Sequence, residues 1–372
     1  MFHTIVTLAY IFPNIYVFLR IGRLFINRGY KLHYALIYIV LASIFPYISL
    51  LSAGNSGFLF DTLVIISSYI LPFYLYVFLF VLLFDSFLLG NRLFASVPPE
   101  KMKSTRFKAT TLAAMVILSV LIVVAGAINF RTIRISEYQI DIPRKLAKID
   151  HLKIAFIADF HLRKDTDIHF VERFAKKIEM IQPDLLVYGG DIVEGGREDG
   201  NLQKIEKIFK DIGVKYGSFA VLGNHEFYGR QDKGQFFDRA GIKVLADTIV
   251  VIDDSFNLAG RYDSHFNRRK TVGELMKSIN DSLPVFLVDH RPTEFDQVSQ
   301  TSVDLQMSGH THNGQLFPLN LIIKSMYPLS WGYQKIGNTH FFVTSGIMLW
   351  GPPVRTTGKS EIMVINIRFT GK

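Results

Sequence analysis

Three long uncharged runs constrain this chain more than any other feature of it. Leu32–Phe60, Thr62–Phe84 (bracketed by Asp61 and Asp85) and Ala109–Phe130 contain no Asp, Glu, Lys or Arg. A helix rises roughly 1.5 Å per residue and the hydrocarbon core of a bilayer is about 30 Å thick, so about 20 apolar residues suffice to cross it. Each run meets that length. A fourth, His3–Leu19, is shorter and holds Pro13 and Asn14. It reads as an uncleaved span, since no basic residue precedes it and Arg20 and Arg23 stand where a signal peptide would carry its small-residue cleavage site. Residues 1–135 are therefore expected to be an all-α transmembrane region of about four helices.

Charge divides the chain at the same place. Residues 1–145 carry 13 Lys and Arg against 5 Asp and Glu, a net of +8, whereas the remainder nets only +1. The basic excess thus belongs to the apolar half, where it reports membrane topology, and no nucleic-acid partner is expected. Arg20, Arg23, Arg28 and Lys31 lie between the first two runs; Arg92, Lys101, Lys103, Arg106 and Lys108 lie between the last two. The loop at Gly54-Asn55-Ser56-Gly57 has no positive charge. The positive-inside rule puts the two basic loops in the cytoplasm, giving a multi-pass protein of the cell membrane with an extracytoplasmic C-terminal domain, although Arg131 and Arg134 pull the other way. Asp85 reads as an interfacial residue beside Ser86. The chain has no cysteine, which excludes disulfides, thiolate metal sites and thiol nucleophiles.

From about Lys145 onward, short β-branched runs alternate with amphipathic ones, the pattern of an α/β domain over 145–372. Lys153–Ala158, Leu185–Tyr188, Ser218–Leu222, Val285–Val288 and Val303–Met307 read as strands. Residues 168–181 read as a helix, with Phe170, Phe174, Ile178 and Ile181 on one face and Pro183 ending it; Leu202–Phe209 reads as another.

Polar clusters follow these strands in order: Asp159-Phe160-His161, Gly189-Gly190-Asp191, Gly223-Asn224-His225-Glu226, Asp289-His290 and Ser308-Gly309-His310-Thr311-His312. Open α/β sheets gather their sites in loops at the carboxyl ends of strands, and glycine lets backbone turn sharply there. Any one cluster is a weak signal, since Asp in a Gly-rich turn usually shapes the turn. Five in sequence are a strong one. Asp, Asn and His together suit borderline divalent cations such as Mn, Fe or Zn, and a carboxylate can bridge two of them for attack on phosphorus.

These motifs resemble the calcineurin-like metallophosphoesterase pattern over roughly residues 150–365. The resemblance implies a four-layer α/β/β/α sandwich and two divalent metal ions. By it, Asp159, His161 and His312 would bind the first metal, Asn224, His290 and His310 the second, and Asp191 would bridge them. A hydroxide shared by the metals would attack phosphorus, and the non-ligand His225 would stabilise or protonate the leaving oxygen. Pro292, the run Leu305–His312 with Gly314-Gln315, and Trp350–Arg355 are similar to a membrane-associated bacterial branch, some of whose members hydrolyse UDP-2,3-diacylglucosamine. Asn313 replaces a usual Gly and Glu226 a common Asp, which bears on substrate preference rather than catalysis.

Three peripheral features keep two readings each. Arg355 is either a phosphate contact or a solvated loop arginine. Leu321–Tyr333 is either core or an apolar lip at the bilayer. Arg268-Arg269-Lys270 is a solvated loop or touches anionic head groups. The expected function is a membrane-embedded phosphoesterase cleaving a phosphate ester or pyrophosphate bond of a lipid-linked or amphipathic substrate. The alternatives are a phosphodiesterase for soluble nucleotides that uses its helices only as an anchor, and a metal-binding scaffold without turnover.

Overall fold

The computed structural model describes residues 2–51, 57–163, 166–194, 200–228 and 234–371. The uncharged loop at 54–56 lies outside them. The chain forms two compact units, 1–128 with 351–356, and 129–350 with 357–372.

The first unit is helical: α1 (Phe2–Leu24), α2 (Lys31–Leu51), α3 (Phe58–Phe94), the short α4 (Pro99–Lys103) and α5 (Thr105–Arg131, whose last residues belong to the second unit). Among the described residues, Arg28–Ile48, Phe58–Phe94 and Thr105–Arg131 are long and apolar enough to cross a membrane. Helix α1 is 23 residues long and contains Pro13. Val17 and Ile21 of α1, with Phe25 just after it, pack with Val77 and Val81 of α3 and Met115 of α5. Asp85 is not an isolated interfacial acid. Arg20 Nε donates to it at 2.9 Å, and Tyr16 Oη is a further donor, so α1 and α3 are tied by an ion pair as well as by packing. In an apolar medium such pairing is what makes a charged residue tolerable. The segment 351–356 belongs to this unit because Gly126 has no side chain to keep it away. Arg355 N donates to Gly126 O at 3.0 Å, Thr356 Oγ1 hydrogen-bonds Tyr76 Oη at 2.5 Å, and a Cβ on Gly126 would meet Val354 Cγ1 at 2.6 Å.

The second unit is built on two six-stranded mixed sheets. In chain order the strands are β1 (Ile133–Pro143), β2 (His151–Ile157), β3 (Leu185–Tyr188), β4 (Ser218–Ala220), β5 (Ile242–Val244) and β6 (Thr248–Ile252). They continue with β7 (Phe256–Gly260), β8 (Val285–Val288), β9 (Leu305–Ser308), β10 (Gly332–Ile336), β11 (Thr339–Val343) and β12 (Ser360–Thr370). One sheet runs β1-β12-β2-β3-β4-β5 and the other β10-β11-β9-β8-β7-β6. Strand β1 lies between the two segments that composition delimits, and pairs in parallel with β12 along its whole length.

Three apolar clusters define four layers. Ile154, Phe156, Val187, Phe256, Phe286 and Met307 fill the space between the sheets. Helices α6 (Ile168–Ile181), α7 (Gly200–Lys210) and, beyond the one-turn α8 (Asn224–Phe227), α9 (Gly234–Arg239) cover the first sheet, burying Phe170, Phe174, Ile205, Phe209 and Phe237. Helices α10 (Val272–Met276) and α11 (Phe295–Ser299) cover the second, burying Leu275, Phe295 and Val298 against Phe341. This is the α/β/β/α sandwich, with the strand runs and the 168–181 helix where their periodicity puts them. The last helix, α12 (Leu319–Met326), differs: none of its residues is buried.

Candidate metal centre

Strands β2, β3, β8 and β9, with the turn after β4, end beside one another, so the five polar clusters converge. The backbone bends hard to present them. Asp159, His161, Asp191, His310 and His312 all have φ between 48° and 72°, the left-handed region that non-glycine residues rarely enter. Such strain, of order 1–3 kcal/mol per residue, persists only where the surroundings enforce it. Here the loops lace together: Asp159 N donates to Gly190 O, His161 N to Asp191 O, and His310 N to Asp159 Oδ2 at 3.1 Å. Gly190 has φ 92°, and a Cβ there would lie 2.7 Å from both Gly223 N and His290 Nδ1. Only glycine allows that approach.

The resulting side-chain geometry is that of two adjoining cation cradles. Asp159, His161 and His312 offer ligand atoms within 4.8 Å of one another, and so do Asp191, His290 and His310. His161 Nε2 is 3.1 Å from His312 Nε2, His310 Nδ1 is 3.3 Å from His290 Nε2, and His290 Nε2 is 3.2 Å from Asp191 Oδ2. Six of the seven predicted ligands therefore fall into the two expected groups. The seventh, Asn224, is buried and its Oδ1 has no hydrogen-bond partner. A buried carbonyl oxygen left without a donor is costly, and a cation is one group that would satisfy it. With two carboxylates, four imidazoles and this oxygen, the donor set fits divalent metal. His290 is also pre-set for ligation, because its Nδ1 donates to Gly189 O at 2.7 Å and turns Nε2 toward Asp191.

Charge is tightly coupled across the centre. Burial would discharge His290, but the Asp191 carboxylate, with Asp159 and Asp263 behind it, pushes it up to about 10. Burial opposes ionisation of Asp191, yet the charge and hydrogen bond of His290 hold that carboxyl well below the usual range. Burial, reinforced by the nearby charges of His290 and Arg291, takes His310 down to about 3. Asp159 is lifted to about 6, chiefly by burial. A proton on His290 thus supplies the positive charge that this cluster of acids requires.

His225 stands beside the cradles, its ring 4.6 Å from that of His161 and edge-on to it. It groups with His161 and Asp191, and burial pushes its imidazole down to about 4. Arg355 lies in the 351–356 segment of the helical unit, where it is fully buried rather than solvated.

Four acidic residues complete the centre: Glu226 and Asp289 lie within the strand-end motifs, Glu194 and Glu294 outside them. Glu194 places Oε1 2.9 Å from His161 Nδ1 and 3.5 Å from His225 Nδ1, orienting both rings. Glu226 accepts four backbone N–H bonds, from Asp191, Ile192, Val193 and Gly223, at 2.6–2.9 Å. It joins the loop that carries Asp191 to the one that carries Asn224. Asp289 and Glu294 share Arg261 and Arg269, which ties down the chain on either side of His290; Arg269 is therefore an ion-paired residue, not a solvated one. Such carboxylates are silent in sequence because their partners lie 20–35 positions away.

Residues 152–314 match the family model described as calcineurin-like phosphoesterase. An uncharacterized metallophosphoesterase of Aquifex aeolicus is 31% identical over 247 residues, 64% of this chain and 93% of that protein. The chain belongs to the calcineurin-like phosphoesterase family. An uncharacterized metallophosphoesterase of Helicobacter pylori is 30% identical over 236 residues, 60% of this chain; the match spans 62% of the relative's length. A zebrafish (Danio rerio) protein named as a transmembrane protein with a metallophosphoesterase domain is 26% identical over 290 residues, covering 72% of this chain and 65% of that one. The membrane-capable helices of this calcineurin-like chain are thus similar in kind to what that relative's name describes.

Proposed function

We propose that the protein is a membrane-held, metal-dependent phosphoric ester hydrolase with a centre for two divalent cations. The observation that carries this reading is the pair of adjoining Asp/His cradles, with the buried, partnerless Asn224 Oδ1 beside them. Asp159, His161 and His312 would hold one cation, Asn224, His290 and His310 the other, and Asp191 both. Mn, Fe or Zn would supply Lewis acidity toward the phosphoryl oxygens and lower the pKa of the attacking water. The chain's own groups do the rest. His225 faces the centre without belonging to either cradle; burial favours its neutral form, so it acts when protonated, giving a proton to the leaving oxygen, and the negative charges of Asp191 and Glu194 offset burial to support that form. Glu194, beside its Nδ1, favours the orientation and charge that this transfer needs. The seven ligands cannot all be held unless their strained loops stay laced, which is the work of Glu226.

A lipid-linked or amphipathic phosphoester is the substrate class we favour, bearing a phosphate ester or pyrophosphate bond. Helix α12 packs on the turn that holds His312, and the preceding Phe317 is 50% exposed, with Leu321, Ile322 and Met326 57%, 56% and 63% exposed. Tyr327, at its end, has its ring 6.1 Å from that of His310. An apolar lip at the mouth of a polar site suits a substrate with an acyl or isoprenoid tail. The loop charges put the catalytic domain outside the cytoplasm if α1 also crosses. The test is purified full-length protein with Mn(II), and its Asp191→Asn variant, incubated with a total lipid extract and compared by mass spectrometry. Equal inactivity of both on lipids and on a broad phosphoester panel refutes the enzyme reading. Turnover of soluble nucleotide diesters without preference for amphipathic ones refutes the lipid assignment. A C-terminal reporter that signals from the cytoplasm overturns the orientation.

A further inference from the structure

Three arginines crowd the loops around His290, and two of them are fully used. Arg261 is buried and donates to Asp289, Glu294 and the carbonyl of Lys270; Arg269 shares the same two carboxylates. Arg291, the residue after the metal ligand His290, is arranged differently. Its Nε donates to Oδ2 of the fully buried Asp263 at 2.7 Å, and its Nη2 lies 2.9 Å from His265 Nδ1. Asp263 is itself pinned by the backbone N–H of His265 at 2.9 Å. One edge of the guanidinium is therefore fixed, while the Nη1 end has no hydrogen-bond or ion-pair partner among the described residues. The hydroxyl of Tyr327 is likewise without one. Arg291 directly follows His290, and the Tyr327 ring lies 6.1 Å from that of His310, which puts both residues beside the His290/His310 cradle.

A guanidinium braced by a buried carboxylate has already lost its rotamer freedom and keeps its charge at any working pH. Its free N–H groups match phosphate oxygens in spacing and charge. A purely structural arginine here would be sealed, as Arg261 is. We propose that Arg291, positioned by Asp263 and His265, binds a phosphate oxygen of the substrate at the edge of the His290/His310 cradle, with the Tyr327 hydroxyl as a second donor. This rests on the phosphoesterase reading and names the group that recognises the anion. The oxygen belongs either to the reacting phosphoryl group or to a second phosphate linked to it.

The test uses full-length protein in detergent with Mn(II), as wild type, Arg291→Gln and Arg291→Lys. Two readouts are taken: kcat and KM on p-nitrophenyl phosphate and on a nucleoside diphosphate sugar, and calorimetric binding of inorganic phosphate. Arg291→Gln is expected to lose at least tenfold in kcat/KM on one substrate or both, with Mn(II) affinity and melting temperature unchanged, and Arg291→Lys to recover part of it. Loss on both substrates assigns the reacting phosphoryl group; loss on the diphosphate alone assigns the second phosphate. Rates within twofold of wild type on both substrates overturn the proposal, as does a loss that merely tracks weaker Mn(II) binding or a lower melting temperature. If wild type hydrolyses neither substrate, the phosphoesterase reading is decided by the lipid extract and the broad panel, and the phosphate-binding readout decides the anion site: it stands if Arg291→Gln still weakens phosphate binding tenfold, and falls if it does not.

Discussion

Replacing Glu226 by glutamine is the sharpest probe of how the centre is held. The Glu226 Oε2 atom accepts from Asp191 N and Gly223 N, and Oε1 from Ile192 N and Val193 N. Glutamine has one carbonyl oxygen and can serve only one of these pairs; its amide nitrogen would face the other two N–H groups as a third donor. Two buried donors are then left without acceptors, at about 1–3 kcal/mol each. Allowing for relaxation, about 2–4 kcal/mol of stability should be lost, a fall of about 5–15 °C in melting temperature for a domain of this size. Both tryptophans, Trp331 and Trp350, lie in the catalytic unit, so their fluorescence follows its unfolding while the helices stay silent. Mn(II) affinity should fall with stability, since the staple joins the loop of Asp191 to that of Asn224. Glu226→Asp keeps the charge but is one methylene short of the four donors and should lie between. The exposed Glu172→Gln is the control. A Glu226→Gln protein that melts within about 2 °C of wild type and binds Mn(II) equally well refutes the staple.

Metal binding should be strongly pH-dependent. His290 is held up to about 10 and must lose its proton to become a ligand, so each cation that enters its cradle displaces that proton. Affinity should therefore rise with pH, by up to about tenfold per unit below 10, and calorimetry in buffers of different ionisation enthalpy should count close to one proton released; no release contradicts the assignment of that charge. Glu194→Gln should cost about 10–100-fold in metal affinity or turnover, because the carboxylate orients both His161 and His225. Unchanged kinetics would remove Glu194 from the centre. In the helical unit, Gly126→Ala places a Cβ 2.6 Å from Val354 and should destabilise that unit by about 1–3 kcal/mol, read as faster aggregation on heating in detergent. A neutral result would mean that 351–356 yields easily.

The clustering of these Asp, Asn and His residues was legible because each polar motif follows a strand whose apolar run announces where it ends. Helix α6 was legible because its apolar residues repeat at spacings of three and four. Other parts carry no such mark. Strand β1 mixes Arg134, Glu137 and Asp141 with apolar residues, because its two faces are unevenly covered; its partner β12 lies more than 200 residues downstream. Glu194 and Asp263 sit in charged loops, and nothing local separates them from solvated acids. The periodicity of α12 fits core and lip equally, and only its exposure distinguishes them. The Trp350–Arg355 motif was visible as a motif, but Gly126, which accepts from Arg355 N, lies far upstream, as does Tyr76, the partner of the adjoining Thr356.

That last placement governs how the protein can be made. The helical unit is assembled from two pieces of chain, residues 1–128 and 351–356, and the whole catalytic unit but its final strand region lies between them. During synthesis residues 1–128 emerge before the catalytic unit, yet their unit lacks its closing segment until residues 129–350 have followed them out of the ribosome. The helices therefore wait, incomplete, while the sandwich is being threaded. A catalytic fragment cut free at residue 129 would keep Val354 and Arg355, fully buried in the intact protein, without the helices that bury them. The helical region is in this sense not a detachable tether, and the shortest chain expected to behave as the native protein is one that retains both of its pieces.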